Sequence, residues 1–228
     1  MVLILYAEHF SQPCRAVMAF CYQSKIPFDL KEVRLSKFHQ KSIEFLSLFP
    51  LGTVPAITHE DISLVESHAI LTYLAQAFNC DDQWYPKDIK KRAYIDEYLH
   101  WHHSNIRIGL GSFLYNKYLG PKYYGTKFSQ EIDDSSLIKR EKTLGYLDKV
   151  LEKSFVGKTD RPSVADLSCY CEFSQMKIVD YDFSQWGNVV KWMKEMETLY
   201  GIQMAHKVFY KLLPLTSAKF LGDGNTKK

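Results

Sequence analysis

The stretch Val2-Leu3-Ile4-Leu5-Tyr6-Ala7-Glu8-His9-Phe10-Ser11-Gln12-Pro13-Cys14-Arg15-Ala16-Val17 decides how the chain begins to fold. Residues 2–6 are a short apolar run that turns polar by Glu8, the pattern of a strand. Ser11 then stands as an N-cap, Pro13 falls in the first turn, and Val17, Phe20 and Cys21 recur at helical spacing, so residues 12–24 predict a helix. After Ile26-Pro27, residues 28–35 predict a second strand and residues 42–49 a short helix. Residues 54–58 and 62–64 flank a His59-Glu60-Asp61 turn as a hairpin, and residues 66–78 predict another helix. The first half therefore reads β-α-β-α-β-β-α.

Beyond Asn79 the period changes. A polar connector, Cys80-Asp81-Asp82-Gln83-Trp84-Tyr85-Pro86, leads into segments of 3.6-residue periodicity at 89–118, 136–155, 164–176, 189–199 and 202–213. Gly120, Pro121, Gly125 and the acidic run Glu131 to Asp134 mark residues 119–134 as a loop. The predicted organisation is an α/β domain at 1–79, a linker at 80–87, an all-helical domain at 88–220 and a frayed tail at 221–228.

Composition narrows the function classes. Of 228 residues, 46% are hydrophobic and 24% charged, which is globular and excludes disorder. The net charge of +3 is too small for phosphate-backbone binding, so nucleic acid is not the expected partner. No apolar run is long enough for a membrane span, and the start lacks the basic n-region of a signal peptide. Five cysteines (Cys14, Cys21, Cys80, Cys169, Cys171) show neither CxxC nor zinc spacing, which points to reduced thiols in the cytoplasm.

Chemistry concentrates at three places in the first half. Ser11-Gln12-Pro13-Cys14 lies at a strand-to-helix junction, where free N–H groups and the helix dipole favour an anion. A thioredoxin-type CxxC occupies the same junction, and here Ser11 replaces its first thiol. A hydroxyl there either caps the helix or donates to a thiolate brought by a ligand. Val54-Pro55 opens a strand; were its bond cis, the Val54 main chain would be free to pair with a bound peptide, whereas a trans proline would only end the loop. Glu66-Ser67 opens a helix, where an acidic residue suits the dipole; together the pair could also hold the ammonium and carboxylate of an amino acid.

These residues, set in a β-α-β-α-β-β-α half joined to a helical half, resemble the cytosolic glutathione transferases, and Ser-Gln-Pro-Cys-Arg-Ala-Val at 11–17 resembles the theta class. The likeness continues through Trp84-Tyr85-Pro86, Asp96-Glu97-Tyr98-Leu99 with Trp101, and Ser163-Val164-Ala165-Asp166-Leu167, to about residue 200. It implies a thioredoxin-like first domain, a helical-bundle second domain and a homodimer. Glutathione is implied as co-substrate, with no further cofactor and no metal, and the partner substrate is a small hydrophobic electrophile.

Carried over by position, Ser11 resembles the serine that activates the glutathione thiol. Val54 resembles the residue that pairs with the cysteinyl unit, beside the family's cis-proline at Pro55. Glu66 and Ser67 resemble the γ-glutamyl binders, and Gln12 is counted with the glutathione-binding residues. Arg107 resembles a theta-class arginine that assists the thiolate or the leaving group. A histidine that meets the glycyl end in that class falls on Gln40, with His39 before it, and a basic residue falls on Thr53. Tyr115 is expected to wall the electrophile pocket. The Ser163-x-x-Asp166 box is expected to start a helix and to serve folding.

Three other readings carry less weight. Cys14 as the nucleophile lies one turn inside the helix, where burial is expected. His100, His102 and His103 lack a carboxylate or thiolate at matching spacing for a metal. A non-catalytic binding or scaffold protein of the same fold would have no need of Ser11 and Glu66-Ser67.

Overall fold

The computed structural model describes residues 2–216; the expected tail at 221–228 lies outside them. The first half contains β1 (Leu3–Ala7), α1 (Gln12–Gln23), β2 (Phe28–Glu32), α2 (Ile43–Leu48), β3 (Ala56–His59), β4 (Ile62–Val65) and α3 (Ser67–Ala77). The four strands form one sheet in the order β2-β1-β3-β4. β2 runs parallel to β1, and β3 and β4 are antiparallel to their neighbours.

Alternation along β1 divides the burial. Leu3, Leu5 and Ala7 are buried with Ile57 in a core shared with α1 and α3, while Tyr6 on the other face packs with Phe45 and Phe49. The hairpin register pairs Tyr6 with Ala56 and Ala56 with Val65. Residues beyond these positions, Glu8 on one strand, Pro55 on the next and Glu66 on the third, are thereby gathered at one end of the sheet.

The second half contains α4 (Ile89–Ser104), α5 (Gly120–Tyr124), α6 (Gln130–Leu151), α7 (Val164–Gln175), α8 (Gly187–Met196) and α9 (Tyr200–Thr216). Helix α1 packs against α7 and α9, and one hydrophobic cluster runs through both halves. Gly201 makes the α1–α9 approach possible, because a side chain there would collide with the Ala19 carbonyl and Gln23. The connector is pinned: Trp84 is buried against Phe20, and its carbonyl accepts the Val164 N–H at 3.0 Å.

Two expectations are corrected. Residues 89–118 do not form one helix. Helix α4 stops at Ser104, where the Asn105 side chain donates to the Trp101 carbonyl at 2.9 Å, and the chain resumes as two wide π-type stretches, Arg107–Ser112 and Tyr115–Leu119. Residues 119–134 are not a continuous loop either. Gly120–Tyr124 is helical, Gly125 ends it in the left-handed region at φ +64°, and α6 already starts at Gln130. Ser129 caps α6 by accepting the Ile132 N–H at 3.3 Å, which places Glu131 and Asp133 in its first turn, where the dipole favours them. The acidic run read as a loop signal is a helix start.

The Ser163–Asp166 box forms as expected and begins α7. The buried Asp166 carboxylate accepts from the Ser163 N–H and hydroxyl, the Val156 N–H and the Trp192 indole N–H, at 2.9–3.1 Å. It joins three segments of the helical half.

Candidate functional site

Ser11 is the N-cap of α1 by backbone geometry, but its side chain makes no capping hydrogen bond. The hydroxyl does not bond the first-turn N–H groups as a capping serine ordinarily does, and it interacts instead with the Cys14 thiol one turn on. The Ser11 N–H donates to the Glu8 carbonyl at 3.2 Å, which fixes the turn between β1 and α1. One turn further on, the Cys14 thiol is fully buried, and burial pushes it up to about 12. A thiol so disfavoured as thiolate is no nucleophile at neutral pH.

The Val54–Pro55 peptide is cis. Continuing the β3–β4 register sets Val54 and Pro55 beside Glu66 and Ser67. Glu66 has φ +71°, an uncommon conformation for a residue other than glycine, and it is exposed with no side-chain cap bond. Backbone strain of this kind concentrates at ligand sites. Ser67 begins α3 and is buried. Helices α1 and α3 therefore both open without side-chain caps from Ser11 and Glu66.

His39 and Gln40 lie in a short 3₁₀ turn, His39–Lys41, with His39 exposed and the Gln40 Oε1 atom buried without a partner among the described residues. Thr53 is exposed and brings no charge. The cation at this position is one that sequence reasoning missed. Lys41 packs over Gly52, its ammonium only 2.8 Å from where a Gly52 side chain would begin. Gly52, at φ +60°, gives both the turn and the room.

Ser11, Gln12, Arg107 and Tyr115 line one cavity of about 480 Å³ between the two halves. Tyr115 is exposed on its wall, next to Tyr124 at 5.8 Å between ring centres. Arg107, Tyr115 and Leu119 all stand on the two wide turns and line this cavity. Val54, Pro55, Glu66 and Ser67 lie on the sheet side and are not part of that cavity's lining.

A second missed residue is Glu172 on α7, whose carboxylate is 2% exposed. Its Oε1 meets Arg107 at 2.8 Å and His102 Nε2 at 3.5 Å, and its Oε2 accepts from the Gln12 amide at 3.4 Å. Burial pushes its carboxyl up, yet the Arg107 guanidinium and the His102 ring outweigh that and hold it below the usual range. Glu172 thus ties Arg107 on one side and Gln12 on the other to a fixed anchor. In the sequence, a glutamate inside Cys169-Tyr170-Cys171-Glu172-Phe173 carries no spacing signal that would have singled it out. His102 belongs to this network and His68 packs against its ring, and no group of three or more His, Cys, Asp or Glu among the described residues could hold a metal.

The family described as "Glutathione S-transferase, N-terminal domain" matches residues 1–76, and "Glutathione S-transferase, C-terminal domain" matches residues 105–199. The chain belongs to the glutathione S-transferase family. It is 36% identical to glutathione S-transferase T1 of Arabidopsis thaliana, over 93% of this chain and 91% of that protein. Human glutathione S-transferase theta-1 is 35% identical, over 92% of this chain and 90% of that one. A human theta-class transferase solved with the glutathione conjugate of 1-menaphthyl sulfate superposes with a TM-score of 0.86 at 32% identity, covering 97% of this chain and 92% of that one. As a theta-like glutathione transferase, the chain has the two-part fold expected of it: a thioredoxin-like mixed sheet followed by helices.

Proposed function

We propose that this chain forms the thiolate of glutathione at Ser11 and adds it to small hydrophobic electrophiles. The observation that carries the reading is the uncapped Ser11 hydroxyl at the start of α1, in a cavity shared with Arg107. A thiol of ordinary pKa near 8.5 is mostly protonated at neutral pH, and lowering it by about two units takes about 2.7 kcal/mol of thiolate stabilisation. A hydrogen bond to a charged acceptor supplies about 1.5–3 kcal/mol, and a helix N-terminus adds about 0.3–1 kcal/mol. Ser11 and α1 together meet that requirement, so Arg107 is left to assist the departing group.

The remaining assignments follow the tripeptide. The Val54 main chain, beside cis Pro55, pairs with the cysteinyl unit, and Glu66 and Ser67 hold the γ-glutamyl group. Gln40 and His39 face the glycyl end, where Lys41 supplies the positive charge that Thr53 lacks. Gln12 keeps the α1 start in register through Glu172. Tyr115 walls the electrophile pocket. The same reading divides the chain at 79 and 88, makes it a cytoplasmic homodimer, and extends to reduction of organic hydroperoxides by the same thiolate.

The test is glutathione-dependent turnover of a panel of aralkyl halides, epoxides and hydroperoxides, with Ser11→Ala as the control. Conjugation by the wild type and its loss in the variant support the reading. A chain that binds glutathione but turns over none of the panel is a binding or scaffold protein of this fold.

A further inference from the structure

The thiolate is only half of the chemistry, because some leaving groups depart with a negative charge that must be met by a proton. A halide leaves as a stable anion. An epoxide or a hydroperoxide releases an alkoxide, which is far too basic to leave unprotonated at neutral pH. Arg107 can stabilise such a charge, but as an arginine it keeps its own proton.

The cavity holds a group that can give one. Glu8 follows β1, three residues before Ser11, and lines the same cavity as Ser11, Arg107 and Tyr115. Glu8 is partly buried, and its charge is felt by Tyr124, a further residue of the cavity wall. Among the described residues, no hydrogen bond or ion pair engages the Glu8 carboxyl. The cation whose charge it feels, Arg15 on α1, is fully buried and committed to the carbonyls of His9 and Cys171 and to the Gln175 side chain.

We propose that Glu8 is the general acid of the electrophile site, serving substrates whose leaving group is an oxygen anion. The proposal rests on the transferase reading above. With an epoxide, glutathione sulfur attacks a ring carbon, the C–O bond breaks with its electron pair passing to oxygen, and the Glu8 carboxyl protonates the resulting alkoxide. With a hydroperoxide, sulfur attacks the terminal oxygen, the O–O bond breaks, Glu8 protonates the departing alkoxide, and glutathione sulfenic acid forms. A second glutathione then reduces it to the disulfide and water. In both cases the Glu8 carboxylate regains its proton from solvent. With a halide, sulfur displaces the halide ion and no proton is required.

Its surroundings keep Glu8 suited to the task. Burial, then the charge of Glu32 on β2, pushes its carboxyl up from about 4.5 to about 7, against the opposing pull of Arg15. His9 beside it is disfavoured as a cation, chiefly by burial. At pH 7 the carboxyl is then protonated about half of the time, against well under about 1% for an ordinary glutamate. General acids of this kind contribute about 10²–10⁴-fold to rate.

The test compares wild type, Glu8→Gln and Glu8→Asp on three probes of similar size: an aralkyl chloride, an aralkyl epoxide and cumene hydroperoxide. The readout is the ratio of epoxide or hydroperoxide kcat to chloride kcat. Glu8→Gln is expected to lower both ratios at least about tenfold, and Glu8→Asp to recover part of the loss. In wild type the ratios should fall as pH rises through 7, and in Glu8→Gln they should be flat. Ratios unchanged within about twofold, or a chloride rate that falls as far as the other two, would overturn the role of Glu8 alone. A folded wild type that turns over none of the three with glutathione overturns the transferase reading, and this proposal with it.

Discussion

The Arg107 guanidinium lies 2.8 Å from Glu172 Oε1, so a side chain on the cavity wall is held by a carboxylate buried in the helical half. The contact is possible because Gly111, one wide turn on from Arg107, leaves space: a side chain there would start 3.0 Å from Arg107 Cδ. What Glu172 supplies to Arg107 is a buried negative charge in a fixed position. Replacing it by an isosteric amide should therefore weaken the hold on Arg107 without opening a cavity.

Glu172→Gln is expected to reduce kcat/KM for an alkyl halide about tenfold, equivalent to about 1.4 kcal/mol of transition-state stabilisation. Adding Arg107→Ala should then cost much less than it does in the wild type. A double-mutant cycle measures this coupling. Independent, additive losses would show that the two residues act separately.

Ser11→Ala should lower kcat about 10²-fold, the usual loss when a hydrogen-bond donor to a developing anion is removed. Glutathione affinity should change by less than about threefold, because the contacts proposed for Val54, Glu66 and Ser67 are untouched. Titration of the bound thiol by its ultraviolet absorbance should show its pKa rising by about one to two units. An unshifted thiol would remove Ser11 from the mechanism.

Lys41→Ala is expected to raise KM for glutathione about three- to tenfold with kcat preserved, since the glycyl carboxylate is remote from sulfur. Thr53→Lys should offset part of that loss. Steady-state kinetics at low and high salt would check the electrostatic origin, because an exposed ion pair weakens as salt rises.

Glu8 also makes stability depend on pH. Its folded-state pKa near 7 exceeds the ordinary value near 4.5, so the fold favours the protonated form. The penalty is absent below about pH 4.5, grows as pH rises, and is complete above about pH 7. Glu8→Gln should accordingly raise Tm more at pH 8 than at pH 4.5. Thermal unfolding across that range tests the sign.

Asp166→Ala should destabilise the helical half by at least about 3 kcal/mol, because it strands buried donors from Ser163, Val156 and Trp192. The residue is remote from the cavity lining, so molecules that remain folded should retain their pH–rate profile. Denaturant unfolding alongside activity per folded molecule separates the two effects.

Where local chemistry sufficed, the site was legible in the chain. Ser11, Pro55 and Glu66 each stand at the junction of a strand and a helix or turn, and such junctions are marked by proline, by capping residues and by changes of period. Lys41, Glu172 and Glu8 escaped notice for a different reason. Each is an ordinary charged residue whose importance comes from a neighbour distant in sequence: Gly52 for Lys41, Arg107 and Gln12 for Glu172, the cavity wall for Glu8. The acidic run at 131–134 misled because the same residues suit a loop and a helix start, and the Ser129 cap alone tells them apart.

Sequence by itself determined the change from alternating strand and helix to continuous helix near residue 80, the order of the strands along the chain, and the candidate residues proposed to activate and hold glutathione. Periodicity and turn chemistry are local, and they can be read without knowing what packs on what. Tertiary structure alone decided that Ser11 is freed from capping, that α4 gives way to wide turns carrying Arg107 and Tyr115 toward the first half, and that Glu172 secures Arg107. Those outcomes depend on the α1–α7 contact and on burial, which set hydrogen-bond partners and proton affinities across more than a hundred residues of chain.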